Sequence, residues 1–375
     1  MNFKIDRNVY LILSAFTLIH ILLYFFFGII SGLESEKYIR QADYLLEGKF
    51  PSASKYYFYL PIIYLIALAK KAALGYGFVV AAQSLFSAFA LLLFYKGTTK
   101  VFNAKVGLLA SLGLCAFFPF MSWNFHLYSD SIFISLSMVL CYLVCSFEKQ
   151  KIKIFVLILI VVLFMIFTRP FGALFIPPLF IYFLLSKYDN KLFRFITVLT
   201  MGAYIVIMYL SIQAIFHGGE DMDAMKPFIE EHIVCFVPNN PAGAKLNLKY
   251  YDNGVKDIFY YILHNPWHFT KLMAERLFSF FKFTRSWYSA SHNILVAAFI
   301  IPVYLFFFTG ISKLVRQRNN LLIYIIALLV LYPLAATLQC DDWHSRFTMP
   351  MLPPIFAISA YGFFSLFTKM TKKIN

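Results

Sequence analysis

The sequence predicts an all-α polytopic membrane protein, with about ten transmembrane helices and two long extracytoplasmic loops carrying interfacial helices. Three observations predict it. The 375 residues are 61% hydrophobic and only 14% charged, with a mean hydropathy of +0.72, whereas soluble domains carry about 25% charged residues. The apolar residues come in blocks, many long enough to cross a hydrocarbon core of ~30 Å as a helix of ~20 residues. The basic residues are distributed unequally between the two sides that those blocks define.

Blocks near 9–30, 75–95, 104–122, 129–147, 152–168, 170–186, 195–216, 293–312, 320–338 and 347–367 read as spans. The shortest, 152–168, relies on Lys153 snorkelling to the surface. The first block is long and no small-residue cleavage site follows it, so it is expected to stay as the first span. With the N-terminus inside, the cytoplasmic segments hold 17 of the 33 Lys and Arg residues and three of the 18 acids, a net of +14. The remaining 16 cations and 15 acids fall outside, a net of +1. The +15 total is thus a topology signal and not a nucleic-acid footprint; both termini are expected in the cytoplasm. Segment 59–73 is apolar but short and ends at Lys70 and Lys71. It reads as a re-entrant or interfacial helix, because a span there would reverse every later loop.

The chain reads as one transmembrane domain over 1–375, and its outside segments 31–74 and 217–292 are too long to be simple connectors. In the first, Ser35 is placed to cap a helix running to Gly48. Tyr38, Ile39, Ala42, Leu45 and Leu46 follow helical spacing, as in a helix lying flat on a membrane. The second opens with Glu220, Asp221, Asp223, Glu230 and Glu231 and passes Pro238-Asn239-Asn240-Pro241. It then gives two amphipathic stretches, near 254–264 and 266–283, with Asn265-Pro266 as N-cap and first turn. Cys115, Cys141 and Cys145 lie in or beside spans and read as buried apolar residues. Cys235 and Cys340 fall outside, where a disulfide is permitted.

Ionisable groups at the membrane margin are the functional pointers in such a chain. Glu34-Ser35-Glu36 follows span 1 at a helix start, where the dipole favours the ionised carboxylate that a general base needs; a solvated N-terminal acid is the plainer reading. Asp130, in Tyr128-Ser129-Asp130-Ser131, opens span 4, and it or Ser129 is placed to serve as an N-cap. Arg169, in Thr168-Arg169-Pro170-Phe171-Gly172, is the only cation of its turn, a phosphate ligand or an interfacial anchor. Asp341-Asp342-Trp343-His344-Ser345-Arg346 precedes a proline-rich last span, and Arg285, Lys271 and Arg276 add positive charge to the same face. Together they suit a lipid-linked, phosphate-bearing substrate: aromatics for the chain, arginines for the phosphate, a carboxylate for chemistry. No nucleotide-binding glycine loop, zinc motif or nucleophile elbow appears.

These motifs, in this order, resemble the GT-C superfamily of integral membrane glycosyltransferases, which use polyprenyl-phosphate-linked sugars. Span 1 is followed by an acid, a tyrosine and an Ala-Leu-Leu-Gly helix, here Glu34, Tyr38, Ala42, Leu45-Leu46 and Gly48. A proline-rich aromatic stretch leads into Tyr-Ser-Asp, Thr-Arg-Pro-x-Gly follows, and the last span opens with Arg346-Phe347-x-x-Pro350. Tyr128-Ser129-Asp130 and Arg169-Pro-Phe-Gly172 are similar to stretches of the enzyme that adds the second mannose to GPI anchors. His264-Asn-Pro266, Phe269, Leu272 and Arg276 resemble a stretch common in bacterial members. The family usually has Asp after span 1, often in Asp-Glu. Here Glu34 and Glu36 stand there, and the tyrosine register favours Glu34.

The resemblance implies a GT-C-like fold and an inverting, mannosyltransferase-like transfer from a polyprenyl-phosphate sugar to a glycan, lipid or protein acceptor, in a bacterial plasma membrane. It implies Glu34 as base with Glu36 as understudy and Asp130 positioning acceptor or sugar. Arg346 and Arg169 would hold phosphate, and Tyr38, His344 and Arg285 would line the substrate site. Positive charge aimed at the phosphate leaving group replaces a general acid. A divalent metal occurs in the oligosaccharyltransferase branch; the acids here lack a diagnostic spacing, and no cofactor is expected. The alternatives are a transporter or flippase, which predicts midplane charges and repeats, and a polymerase or ligase using a lipid-diphosphate glycan.

Overall fold

The computed structural model describes residues 7–147, 152–185, 191–217, 225–251 and 254–374. The acids Glu220, Asp221 and Asp223, and the loop charges Lys4, Asp6, Glu148, Lys149, Lys151, Lys187 and Asp189, lie outside the described residues. The helices in chain order are α1 (Arg7–Phe27), α2 (Glu34–Leu46), α3 (Leu60–Lys71), α4 (Gly75–Val101), α5 (Ala104–Ala116), α6 (Phe118–Met121), α7 (Asp130–Ser146) and α8 (Ile152–Thr168). They continue as α9 (Ile176–Leu185), α10 (Lys191–His217), α11 (Lys226–Ile229), α12 (Gly254–His264), α13 (Pro266–Phe281), α14 (Ala290–Gln317), α15 (Leu321–Thr337) and α16 (Leu352–Ile374). The described residues form no strand, only isolated bridges.

Four helical segments, α1, α4, α14 and Met349–Phe367, are long and apolar enough to cross a membrane. The pair α5 and Phe118–Phe125 makes a fifth if its 73° bend lies within one span. Further apolar stretches of 10–17 residues follow at α7, α8, Pro170–Leu185, Arg194–Val206 and α15. The bend has a local cause: in a continuous helix Pro119 would lack an amide to donate and its ring would meet the Cys115 carbonyl. So α5 ends at Ala116, Phe117 leaves helical geometry (φ −78°, ψ 84°) and α6 restarts with Pro119 in its first turn. Segment 59–73 is helical as α3, with Ile62, Ile63 and Ile66 fully buried.

One compact unit comprises Met1–Ala173, Leu295–Leu322 and Met349–Asn375. Within it α4 packs against α5 and α7. Helices α14 and α16 approach through small residues: a Cβ on Gly310 would strike the Ile358 carbonyl, and one on Gly362 the Phe306 carbonyl. Leu18, Phe25 and Phe26 of α1 and Leu305 and Phe308 of α14 are exposed. Such an apolar surface is costly in water and ordinary against lipid.

A second unit comprises Leu174–Ile294 and Ile323–Thr348. Its long loop has a core of its own in which Met225, Phe228, Tyr261 and Leu272 are buried together. Pro266 opens α13 as expected, but Asn265 does not cap it. Its side chain instead accepts from the Asn247 amide (2.9 Å) and donates to the Asn247 carbonyl (2.9 Å), tying an extended segment to the helix junction.

Arg276 departs further from expectation. It is fully buried, not a charge on an open face. It donates to the carbonyls of Pro227 (2.8 Å), His232 (2.8 Å), Thr337 (3.3 Å) and Leu338 (3.1 Å). Two of these carbonyls end α15, where a cation satisfies orphan acceptors. Burial lowers its pKa to about 10, so it stays charged at neutral pH.

Cys235 and Cys340 are joined, with Cα atoms 5.0 Å apart across 105 residues of sequence. Mass spectrometry of unreduced protein should recover the linked peptide pair. Replacing both cysteines with serine should cost roughly 2–5 kcal/mol, read by thermal unfolding. Finding both thiols alkylated without reduction would remove the bridge.

Candidate active site

Glu34 sits in a tight turn that joins the end of α1 to α2. Ile30 donates its amide to the Phe125 carbonyl (2.9 Å) and accepts from the Leu127 amide (3.0 Å), which zips the two segments together. Gly32 and Ser35 close the turn at 3.2 Å. Leu33 holds φ 58°, ψ −118° between them, the first central position of a type II′ turn, normally glycine. A non-glycine residue there stores on the order of 1–3 kcal/mol. Leu33→Gly should therefore raise stability by on the order of 1 kcal/mol, after the entropy of the freer unfolded chain is subtracted. A thermal midpoint that falls would show that no strain is held there.

The turn makes Glu34 the first residue of α2, where the helix dipole favours a negative charge. The Tyr38 hydroxyl donates to Glu34 Oε1 at 2.9 Å, which further favours the ionised form. Tyr38 is buried, Glu34 half-buried and Glu36 exposed. The Tyr128 hydroxyl accepts the Glu34 amide (3.3 Å) and donates to the Gly32 carbonyl (3.4 Å). Tyr128 thus links the turn to the segment that opens α7. Ser35 does not cap α2 as expected: it lies in the first turn and donates to the Ile30 carbonyl at 3.4 Å.

Neither Ser129 nor Asp130 caps α7. Asp130 is buried instead with Arg169, and Arg169 Nη1 donates to Asp130 Oδ1. The Arg-Pro-x-Gly turn explains how Arg169 gets there. Its amide continues the ladder of α8 to the Met165 carbonyl (2.8 Å), Pro170 ends the helix, and the Gly172 amide returns to the Arg169 carbonyl (2.9 Å). A Cβ at Gly172 would lie 2.6 Å from the Ile166 amide nitrogen, so only glycine lets the turn fold back on α8.

Beneath Asp130 runs a polar chain that sequence reading passed over. His20 Nδ1 donates to the Phe16 carbonyl (2.8 Å), so its Nε2 accepts from Asn124 Nδ2 (2.9 Å). Asn124 Oδ1 in turn accepts from Ser131 (2.5 Å), and Gln83 donates to the carbonyls of Asn124 (3.2 Å) and His126 (2.9 Å). The signal was present as polar residues inside apolar spans, which need partners.

In the second unit Arg285 is buried and engaged with the protein itself. It donates to Asp341 Oδ2 (2.5 Å), Ser345 Oγ (2.7 Å) and the Ser279 carbonyl (3.2 Å). Burial raises the Asp341 pKa, against the pull of Arg285, the Asp342 amide and Ser279. Arg346 is half-buried, its Nε 3.0 Å from Asp342 Oδ2, with its guanidinium over the Phe347 ring at 5.4 Å. His344 is exposed, and its Nδ1 lies 2.8 Å from the Tyr288 hydroxyl. The first unit thus gathers Glu34, Tyr38, Asp130 and Arg169, and the second gathers Arg285, His344 and Arg346. Among the described residues no group of three or more His, Cys, Asp or Glu is arranged to hold a metal ion.

Apolar helices of this length, with charged groups confined to a few engaged positions, define an integral membrane protein. Residues 60–215 match the family model described as dolichyl-phosphate-mannose-protein mannosyltransferase, so over that region the chain is similar to membrane mannosyltransferases of the GT-C type. The matched region includes Asp130 and Arg169 and lies beyond Glu34. No curated protein and no solved structure matches the chain.

Proposed function

We propose that this protein transfers a sugar from a polyprenyl-phosphate donor to an acceptor hydroxyl at the extracytoplasmic face, with inversion at the anomeric carbon. The observation that carries the reading is the Glu34 carboxylate, held ionised by a helix N-terminus and the Tyr38 hydroxyl within a GT-C-type chain. Glu34 takes the proton of the acceptor hydroxyl as that oxygen attacks C1 and polyprenyl phosphate departs. Glu36, exposed and two residues on, is the weaker candidate for base. Asp130, fixed by Arg169, positions acceptor or sugar. Arg346 supplies positive charge to the phosphate, which then leaves without a general acid. Arg285 has a structural task in this scheme, since its Nη1 and Nη2 groups donate within the protein. No metal is assigned a step.

The proposed topology is ten spans with both termini cytoplasmic, in the plasma membrane of a bacterium. Cysteines introduced at Lys100 and Arg316 should label only from the cytoplasmic side, and those at Gly48 and Tyr250 only from outside. Labelling of Tyr250→Cys from inside would reverse the face on which the chemistry is placed. The activity itself is tested by incubating purified protein in nanodiscs with polyprenyl-phosphate hexoses and following release of polyprenyl phosphate. Polyprenyl diphosphate as the product, from a lipid-diphosphate glycan, would favour a polymerase or ligase instead.

A further inference from the structure

The loops of the second unit that carry Trp287 and Trp343 are braced from three directions. The Cys235–Cys340 disulfide ties one side. The buried Arg285 joins Asp341 and Ser345. The Trp343 indole N–H donates to the Cys235 carbonyl at 2.9 Å, which sets the plane of that ring. This bracing ends in exposed aromatic surface: Trp287 is 39% and Trp343 42% accessible, their rings 5.1 Å apart and tilted by 45°. Beside them Tyr288 and His344 lie nearly parallel at 6.1 Å. Burial raises the Tyr288 pKa to about 12, so its hydroxyl stays protonated.

Charged groups are interleaved with these rings. The Asp342 carboxylate accepts the His344 amide at 3.3 Å and holds Arg346 at 3.0 Å. A belt meant only for lipid has no use for a carboxylate among its indoles, whereas a sugar ring needs both kinds of surface. A hexopyranose offers a face of C–H bonds, weakly positive, to the negative π-face of an aromatic ring. Its rim of hydroxyls both donates and accepts, which suits a carboxylate, an imidazole and a guanidinium. Preformed, rigid walls with a few placed polar groups are the general form of small-ligand sites.

We propose that Trp287, Trp343, Tyr288 and His344 form a binding wall for a hexopyranose ring, with Asp342 and Arg346 at its hydroxyl edge. The assignment of a hexose rests on the glycosyltransferase reading. The ring is either the sugar of the lipid-linked donor or the terminal sugar of a glycan acceptor, and the two sources are separable by kinetics.

The test uses full-length protein in nanodiscs, with Trp287→Leu, Trp287→Tyr, Trp343→Leu and Trp343→Tyr. Saturation-transfer NMR with methyl hexopyranosides as probes reads binding directly. Varying polyprenyl-phosphate hexose and acceptor separately reads the two KM values. We expect the leucine variants to lose saturation transfer and to raise one KM about tenfold with kcat little changed, the tyrosine variants keeping most of the binding. The KM that moves identifies the source of the ring. Trp287 has no indole hydrogen bond among those described, so its variants keep the test intact if Trp343→Leu fails to fold. Unchanged saturation transfer and unchanged KM values in Trp287→Leu would overturn the wall, also where thermal stability in the bilayer falls, as for a lipid belt. Saturation transfer lost in Trp287→Leu, in a protein that transfers no sugar, would leave the wall standing and remove the catalytic reading.

Discussion

If Glu34 is the proposed base, Glu34→Gln should lower turnover ~10²–10⁴-fold, the usual effect of losing a general base, while binding of the proposed polyprenyl-phosphate sugar should survive. Glutamine keeps the size and polarity of the side chain and still accepts the Tyr38 hydroxyl through its carbonyl oxygen. What it loses is the basic oxygen. In the proposed scheme the donor is held by its phosphate and its tail, so affinity for it is not expected to follow the carboxylate. Glu36→Gln should be nearly silent, because that side chain is exposed. Tyr38→Phe should fall between them, removing one hydrogen bond that orients Glu34 and leaving the helix N-terminus in place. Arg346→Ala should weaken donor binding as well as turnover, with Lys restoring only part, since a point charge replaces a planar fork. The measurement is turnover and donor affinity side by side on purified variants. Near-normal turnover by Glu34→Gln would transfer the role of base to Glu36 or Asp130. Near-normal turnover by the Glu34, Asp130 and Arg346 variants alike would end the mechanism.

Asp130 and Arg169 give the second large effect, this time on stability. Both are buried, and removing one partner strands the other's charge away from water, which costs roughly 3–5 kcal/mol. That is a large share of the ~5–15 kcal/mol that ordinarily separates folded from unfolded protein. Asp130→Asn and Arg169→Met should each lower the thermal midpoint sharply. The double variant should be more stable than the sum of the two losses predicts, because no charge is left unpaired. Turnover separates structure from chemistry. If Asp130 positions acceptor or sugar, the double variant regains stability without activity. A double variant that regains both would reduce the pair to a strut.

Much of the helical architecture can be read along the chain. Hydropathy and length give the apolar helices, because a bilayer demands ~20 apolar residues in a row and internally satisfied backbone. Two long interruptions mark the loops that hold α2, α3, α12 and α13. The acid–tyrosine pair Glu34 and Tyr38 is legible too, since a spacing of four places both on one helix face.

The partners of the remaining polar side chains depended on the tertiary structure. Ser35, Asp130 and Asn265 stand where caps are common, and none of them caps: Ser35 falls inside the first turn and donates back to Ile30, Asp130 is paired with Arg169, and Asn265 is tied to Asn247. Asp130 meets Arg169 from 39 residues away, and Arg285 meets Asp341 from 56. Arg276 resembles a surface cation in sequence, yet four carbonyls surround it inside the second unit. Hydropathy and periodicity report how a residue relates to water and to its own helix. Which buried charge meets which is set by long-range packing, where desolvation makes an unpartnered group too costly to keep.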